Sequence, residues 1–170
     1  MTSRNVGVSL QRELQRQSSQ EAVLAFVTIS HEDITDPIRV VTDTKDFVYD
    51  GYTWTGFWFD IQILSDNERP PETRIRVANV DRKVGSALKA IVSPARFKIE
   101  LLPLSDFDTT VEPRTLISSA NVAYTADHLY LIDIESDDLE VTGRIVSWNY
   151  VQELWPGVRA TQARCPGLYR

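Results

Sequence analysis

Six carboxylates, Asp127, Asp133, Glu135, Asp137, Asp138 and Glu140, occupy one stretch that holds no Lys or Arg. Paired carboxylates can hydrolyse glycosides, and alternating ones can bind Ca²⁺. The spacing does not follow the D-x-[DN]-x-[DN]-G loop, and no Gly stands where a calcium loop would turn. Asp133 and Glu135 fall on one strand face, and Asp137-Asp138 has the character of a turn. A solvated hairpin is therefore the better reading of this cluster than a reaction centre.

Other nucleophiles and ligands are sparse. Ser30-His31 stands at a strand end, where both residue types commonly cap turns, and no G-x-S-x-G elbow occurs. No G-x-G-x-x-G or G-x-x-x-x-G-K-[ST] phosphate loop is present. Cys165 is the single cysteine, so neither an intrachain disulfide nor a multi-cysteine metal site can form. Arg164 beside it favours the thiolate, yet no His is near in sequence, and a small half-buried anchor is the expected role. His31 and His128 have no Cys or His at ligand spacing. The sequence thus implies no catalytic, metal or cofactor site, and a protein that is not an enzyme.

The aromatic residues Tyr49, Tyr52, Trp54, Phe57, Trp58 and Phe59 are concentrated. Such clusters can stack on sugars or bases. At strand spacing half of them face a core. Trp54 and Trp58 are expected on the other side, where exposed tryptophans mark protein interfaces.

The elements that must hold these residues are mainly β. A length of 170 residues suits one domain, and 42% apolar with 25% charged residues suits an ordinary globular chain. No apolar run approaches a membrane span, and no signal peptide is visible at the polar N-terminus, so cytoplasmic synthesis is expected. Net charge is −6, which argues against direct nucleic-acid recognition through phosphate neutralisation. The charge is segregated. Acids dominate from His31 to Glu68 and again from Asp127 to Glu140, whereas Arg69, Arg74, Arg76, Arg82, Lys83, Lys89, Arg96 and Lys98 form a basic block. Solvated faces explain such blocks most simply. The alternative is a subunit whose complementary sides meet its own copies around a ring.

Ser9 to Gln20 is expected as a weakly amphipathic helix through Leu10 and Leu14. Val23 to Ile29 is a nearly continuous apolar run with a β-branched end, read as a strand. HEDITDP is a loop, and Ile38 to Thr42 a short strand. Asp50-Gly51 between Phe47-Val48-Tyr49 and Tyr52-Thr53-Trp54 is a type I′ hairpin signal. Alternation from Phe57 to Leu64 and from Thr73 to Val80 predicts two further strands, separated by Pro70-Pro71. Asp81 caps a predicted helix to Ile91 with Val84, Leu88 and Ile91 inward. Arg96 to Leu102 is a strand, and Ser105 to Glu112 a loop. Leu116 to Ser119 and Val122 to Tyr124 are short strands at best. Leu129 to Glu135 and Leu139 to Tyr150 form a hairpin. The domain plan is an N-terminal helical extension (1–20), a β domain (21–152) and an extended C-terminal arm (153–170).

The order of several motifs resembles a family of small tail proteins of long-tailed phages. They are Ile29-Ser30-His31, Asp36-Pro37-Ile38-Arg39-Val40-Val41, Tyr52 followed by Gly56-Phe57-Trp58-Phe59-Asp60, and Thr73 through Arg82. Glu153-Leu154-Trp155-Pro156 ahead of Cys165-Pro166-Gly167-Leu168-Tyr169 completes the likeness, which is to the L-type minor tail proteins and tail-tip hub proteins of lambda-like phages. Two departures stand out. Trp58 replaces an expected small residue or proline. The L-type proteins also carry a cysteine-rich C-terminal region associated with an iron–sulfur cluster, which a lone Cys165 cannot support.

The resemblance implies a tail-tube-like β-barrel or sandwich with a flanking helix, in the virion tail. Copies would form a closed ring, trimeric or hexameric, around the tail channel. Its neighbours would be the tail tube or distal tail protein, the hub protein and the tape-measure protein. On this reading the contact residues are Trp54, Trp58, Arg74, Arg76, Asp137, Asp138, Trp155, Cys165 and Tyr169. The alternative is a carbohydrate- or receptor-binding β-sandwich that uses the tryptophans.

Overall fold

The computed structural model describes residues 2–4, 8–18, 21–61, 72–78, 93–137, 140–147, 161–164 and 166–168. Its elements are β1 (Thr2–Arg4), α1 (Val8–Gln15), β2 (Val23–Ser30), β3 (Ile38–Val41), β4 (Phe47–Tyr49), β5 (Tyr52–Gly56) and β6 (Phe59–Ile61). There follow β7 (Glu72–Ala78), β8 (Ala95–Pro103), β9 (Phe107–Asp108), β10 (Arg114–Leu116), β11 (Tyr124–Ser136) and β12 (Glu140–Ser147). Short 3₁₀ turns occupy Leu104–Asp106 and Pro166–Leu168. The chain is mainly β, as its alternation patterns imply.

The strands form one sheet in the order β6-β7-β12-β11-β8-β2-β3-β5-β4-β10-β9, with β1 paired to the first part of β11. Most pairs are antiparallel; β3–β5 and β4–β10 are parallel. The path is open, but only Phe57 and Trp58 separate β5 from β6. Those two residues bring the β6 end back towards β3, so the sheet curls. One core fills the curl and draws on every strand from β6 to β3, through Phe59, Ile75, Ile145, Leu131, Phe97, Val27 and Val40.

A second core lies on the opposite side of β2 and β3, under a small lobe made of β4, β5, β9 and β10. It holds Leu24, Phe26, Val41, Phe47, Tyr49, Trp54, Leu102 and Phe107. Phe26 is its hub. Its ring meets Phe47, Tyr49, Trp54 and Phe107 at centroid separations of 5.8, 5.3, 5.1 and 5.6 Å. These are edge, tilted and stacked arrangements that the aromatic quadrupole favours. The two cores explain the unbroken apolar run of β2. Ala25, Val27 and Ile29 enter the first core, whereas Leu24 and Phe26 enter the second. A strand buried on both faces carries no period-2 polarity.

Local chemistry sets the turns. Asp50 and Gly51 have φ of 53° and 75°, and Tyr49 pairs with Tyr52, as a type I′ hairpin requires. At Gly56 a Cβ would collide with the backbone carbonyl of Lys45, so only glycine lets the two segments touch. The Gly56 N–H donates to Asp46 Oδ1 at 2.9 Å and holds the contact. Strand β11 shifts register twice, between Ala126 and Leu129 against β8 and between Ile132 and Glu135 against β12. His128 and Asp133, at φ of 60° and 51°, lie in these two bulges.

Several expectations change. The strand expected from Phe57 begins at Phe59, because Phe57 and Trp58 form the crossing between the two parts of the sheet. The segment expected as a loop from Ser105 contains β9, which pairs with β10 and edges the small lobe. Residues 117–123 form no strand, and β11 starts at Tyr124 because β8 pairs with it from there. The N-terminal helix is shorter than expected and ends at Gln15. Thr2–Arg4 carries no local strand signal, yet it forms β1 against β11. The helix expected from Asp81 to Ile91 lies outside the described residues, as does the C-terminal arm apart from 161–164 and 166–168.

Candidate docking surface

The acidic stretch is absorbed by its own sheet. Asp133 meets Arg144 at 2.7 Å, Glu140 meets Arg76 at 3.3 Å, and Asp127 lies 3.6 Å from His128 Nε2. Among the described residues no group of His, Cys, Asp and Glu has the arrangement of a metal site.

One constellation has the outline of a nucleophilic site that the sequence did not suggest. His31 Nε2 lies 2.7 Å from Ser93 Oγ, and His31 Nδ1 lies 3.4 Å from Asp33 Oδ2. The backbone N–H of Asp33 donates to Nδ1 at 3.1 Å. In the neutral ring Nδ1 therefore carries no proton, and Nε2–H donates to Ser93 Oγ. A general base needs the reverse, a free lone pair on Nε2 facing the hydroxyl. This histidine caps the 31–34 turn and ties it to the chain entering β8. Residues so far apart in sequence give no local signal of such a contact.

The small lobe shows the same economy. Arg114 spans Asp43 at 2.7 Å and the face of Phe47 at 5.3 Å. Lys45 binds both oxygens of Glu112 at 2.9 Å. The Thr110 hydroxyl and backbone N–H hold the Asp108 carboxyl below its usual range. Burial, reinforced by Glu100 and Asp50, pushes the Tyr49 phenol up to about 12. Each shift follows from packing or capping within the lobe.

One exposed surface lies at the β6 end of the sheet. Trp58 is 79% exposed at the crossing into β6. Asp60 follows on the same side and pairs across with Arg76. Arg74 lies directly opposite Arg144, a like-charged cross-strand pair. Arg144 is neutralised by Asp133 and Arg76 by Glu140, but Arg74 has no carboxylate partner among the described residues. An exposed Trp and arginines on a neighbouring strand are residue types that interfaces favour.

Of the expected contact residues, Trp58 precedes β6, and Arg74 and Arg76 lie exposed on the neighbouring β7. Asp137 is exposed at the nearby β11–β12 turn, its N–H donating to Glu140 O at 2.9 Å. Trp54 is a correction. It is 3% exposed, packed on Phe26, with its indole N–H donating to Tyr49 O at 3.0 Å. Its cross-strand partner is Phe47, and residues directly opposite in a ladder share a face, so Phe47 draws Trp54 into the core. Asp138, Trp155, Cys165 and Tyr169 lie outside the described residues.

Fold and surface together define a curled β domain with two cores and an exposed Trp58 at the β5–β6 crossing. No described helix is long and apolar enough to cross a membrane. Residues 9–159 match the family described as Domain of unknown function (DUF1833), and the chain belongs to it. No curated protein matches the chain.

Proposed function

We propose that this chain is a structural subunit of the tail tip or baseplate of a long-tailed phage. In that reading copies form a ring around the tail channel, in a tail-tube-like arrangement. The ring links the tail tube or distal tail protein to the hub and the receptor-binding tip, with the tape-measure protein as a further neighbour. The observation that carries the proposal is where the family-like motifs fall. Asp36 to Val41 runs into β3, Gly56 to Asp60 makes the β5–β6 crossing, and Thr73 to Ala78 builds β7. All three are framework or docking-face segments. A curled sheet with a second core is compatible with a barrel-like ring subunit. The burial of Trp54 removes half of the aromatic platform on which a glycan-binding reading depends. The test is a density map of the intact particle, with the chain located by labelling. Copies at the tail end are expected; a particle without the chain there refutes the proposal.

A further inference from the structure

The Asp50-Gly51 turn carries a chemistry that its part in the hairpin leaves unused. Asp50 is the one Asp or Asn in the chain that precedes a glycine; each of the others precedes a residue with a side chain. The backbone nitrogen that follows an aspartate can attack that aspartate's own carboxyl, and a Cβ on the following residue hinders the approach. Gly51 has no Cβ, and nothing lies within 4 Å of where one would stand. Both residues are exposed, so water reaches the site. Gly51 lies between the paired strands, so its N–H is not held by the ladder that ends at the Tyr49–Tyr52 pair.

The reaction is a condensation followed by a hydrolysis. The Gly51 nitrogen bonds to Asp50 Cγ, and the carboxyl's hydroxyl leaves with the amide proton as water, which closes a five-membered succinimide. Water then adds back. Opening at the Asp50 main-chain carbonyl leaves the chain running through Cβ with the free carboxylate on Cα, an isoaspartyl residue of unchanged mass. The native turn opposes the first step. Ring closure needs Cβ and the Gly51 nitrogen on the same side of the Cα–C bond. A type I′ turn gives its first central residue a ψ of about +30°, which sets them on nearly opposite sides. Asp50 and Gly51, at φ of 53° and 75°, are held in that turn. The hairpin behind it is pinned by the Trp54 indole N–H on Tyr49 O at 3.0 Å and by the packing of both rings on Phe26.

We infer that Asp50-Gly51 is a site of isoaspartate formation in this chain, gated by opening of the small-lobe hairpin. The inference stands apart from the tail reading. Exposure and the missing Cβ make the pair reactive, and the turn and the second core keep it unreactive until β4 and β5 part. Openings confined to one hairpin are cheaper than global unfolding, so the lobe sets the rate. Conversion is not neutral for the lobe. It adds one atom to the backbone of a two-residue turn, so the Phe47–Trp54 register that seats both rings in the second core is lost.

The test follows the full chain in warm neutral buffer, native and unfolded in guanidinium chloride. Isoaspartate is counted by methyl transfer with protein isoaspartate methyltransferase and located by fragmentation of the peptides in a mass spectrometer. In the unfolded chain residue 50 is expected to convert faster than any other, and Asp50→Glu is expected to abolish that signal. The native chain is expected to convert there at least about tenfold more slowly. Phe26→Leu loosens the second core and should raise the native rate at least about threefold, whereas Phe97→Leu, in the first core, should leave it within about twofold. Trp54→Phe deletes the hydrogen bond to Tyr49 O and is a second, independent way to loosen the hairpin, with the same acceleration expected. The converted fraction, once separated, is expected to lose the near-ultraviolet circular dichroism of the packed aromatic rings. Conversion mainly at another residue, equal rates in native and unfolded chains, or native rates that Phe26→Leu and Trp54→Phe raise no more than Phe97→Leu would each overturn the inference.

Discussion

Replacing Phe26 with Ala tests the two-core architecture most directly. Phe26 is fully buried and its ring touches four others, from β4, β5 and β9. Truncating a buried Phe to Ala costs about 3–5 kcal/mol, and the value rises with the part of the cavity that cannot collapse. The four rings are anchored on three separate strands, and Trp54 is pinned by its hydrogen bond to Tyr49 O, so little collapse is available. The expected loss is about 4–5 kcal/mol, a large fraction of the roughly 5–15 kcal/mol that holds such a domain. Phe26→Leu keeps most of the volume and should cost no more than about 2 kcal/mol. Urea unfolding followed by far-UV circular dichroism measures both.

A double-mutant cycle sharpens the test. Phe26 and Phe107 stack at 5.6 Å with 20° between their planes, so Phe26→Leu and Phe107→Leu should be coupled by at least about 0.5 kcal/mol. Phe97 belongs to the other core, and Phe26→Leu with Phe97→Leu should add within about 0.5 kcal/mol. A Phe26→Ala loss below about 1 kcal/mol, or equal coupling to Phe107 and Phe97, would refute the division into two cores.

Other perturbations probe single contacts. Gly56→Ala should destabilise by more than about 2 kcal/mol, because the new methyl meets the Lys45 backbone, which cannot rotate away; a neutral result in thermal unfolding would contradict the close approach. Thr73 is buried and its hydroxyl has no partner among the described residues, so Thr73→Val should be neutral or gain up to about 1 kcal/mol, and a marked loss would reveal an unseen acceptor. The folded Tyr49 phenol is raised from 10.0 to about 12, so the unfolded chain ionises first as the solution becomes alkaline. The stability linked to that proton is complete below pH 10 and is lost as the pH climbs towards 12. Tyr49→Phe should therefore flatten the stability profile across that window, as followed by chemical denaturation at each pH.

Much of the β framework was legible because its signals are local. Asp50-Gly51 encodes its turn in two residues, and the alternation in Thr73–Val77 encodes one buried and one exposed face. Trp54 was misplaced although the information was present. An Asp-Gly turn sets Tyr49 opposite Tyr52 and Phe47 opposite Trp54, so a buried Phe47 brings Trp54 inward. The β5–β6 crossing was obscured because Phe57 and Phe59 keep the alternation of a strand while hydrogen bonding moves from β3 to β7. Pairings such as β1 with β11 and contacts such as His31 with Ser93 join distant segments, and nothing in either segment names its partner. For the docking surface, single residues were legible, but their grouping needed the register of β6, β7 and β12.

A strand with apolar residues on both sides would ordinarily be free to slide, since a one-residue slip exposes nothing greasy to water. In β2 bulk takes over the task of locking the alignment. Leu24 and Phe26 point one way, and the slimmer Ala25 and Val27 point the other. A slip would force a phenyl ring into space shaped for Ala and Val and leave a methyl where four aromatic rings converge. One side would be overfilled and the other hollow, each at a cost of kilocalories. Steric size, rather than the contrast between oil and water, keeps the central strand in step, so exchanging Ala25 with Phe26 should misalign the sheet although composition and hydropathy stay the same.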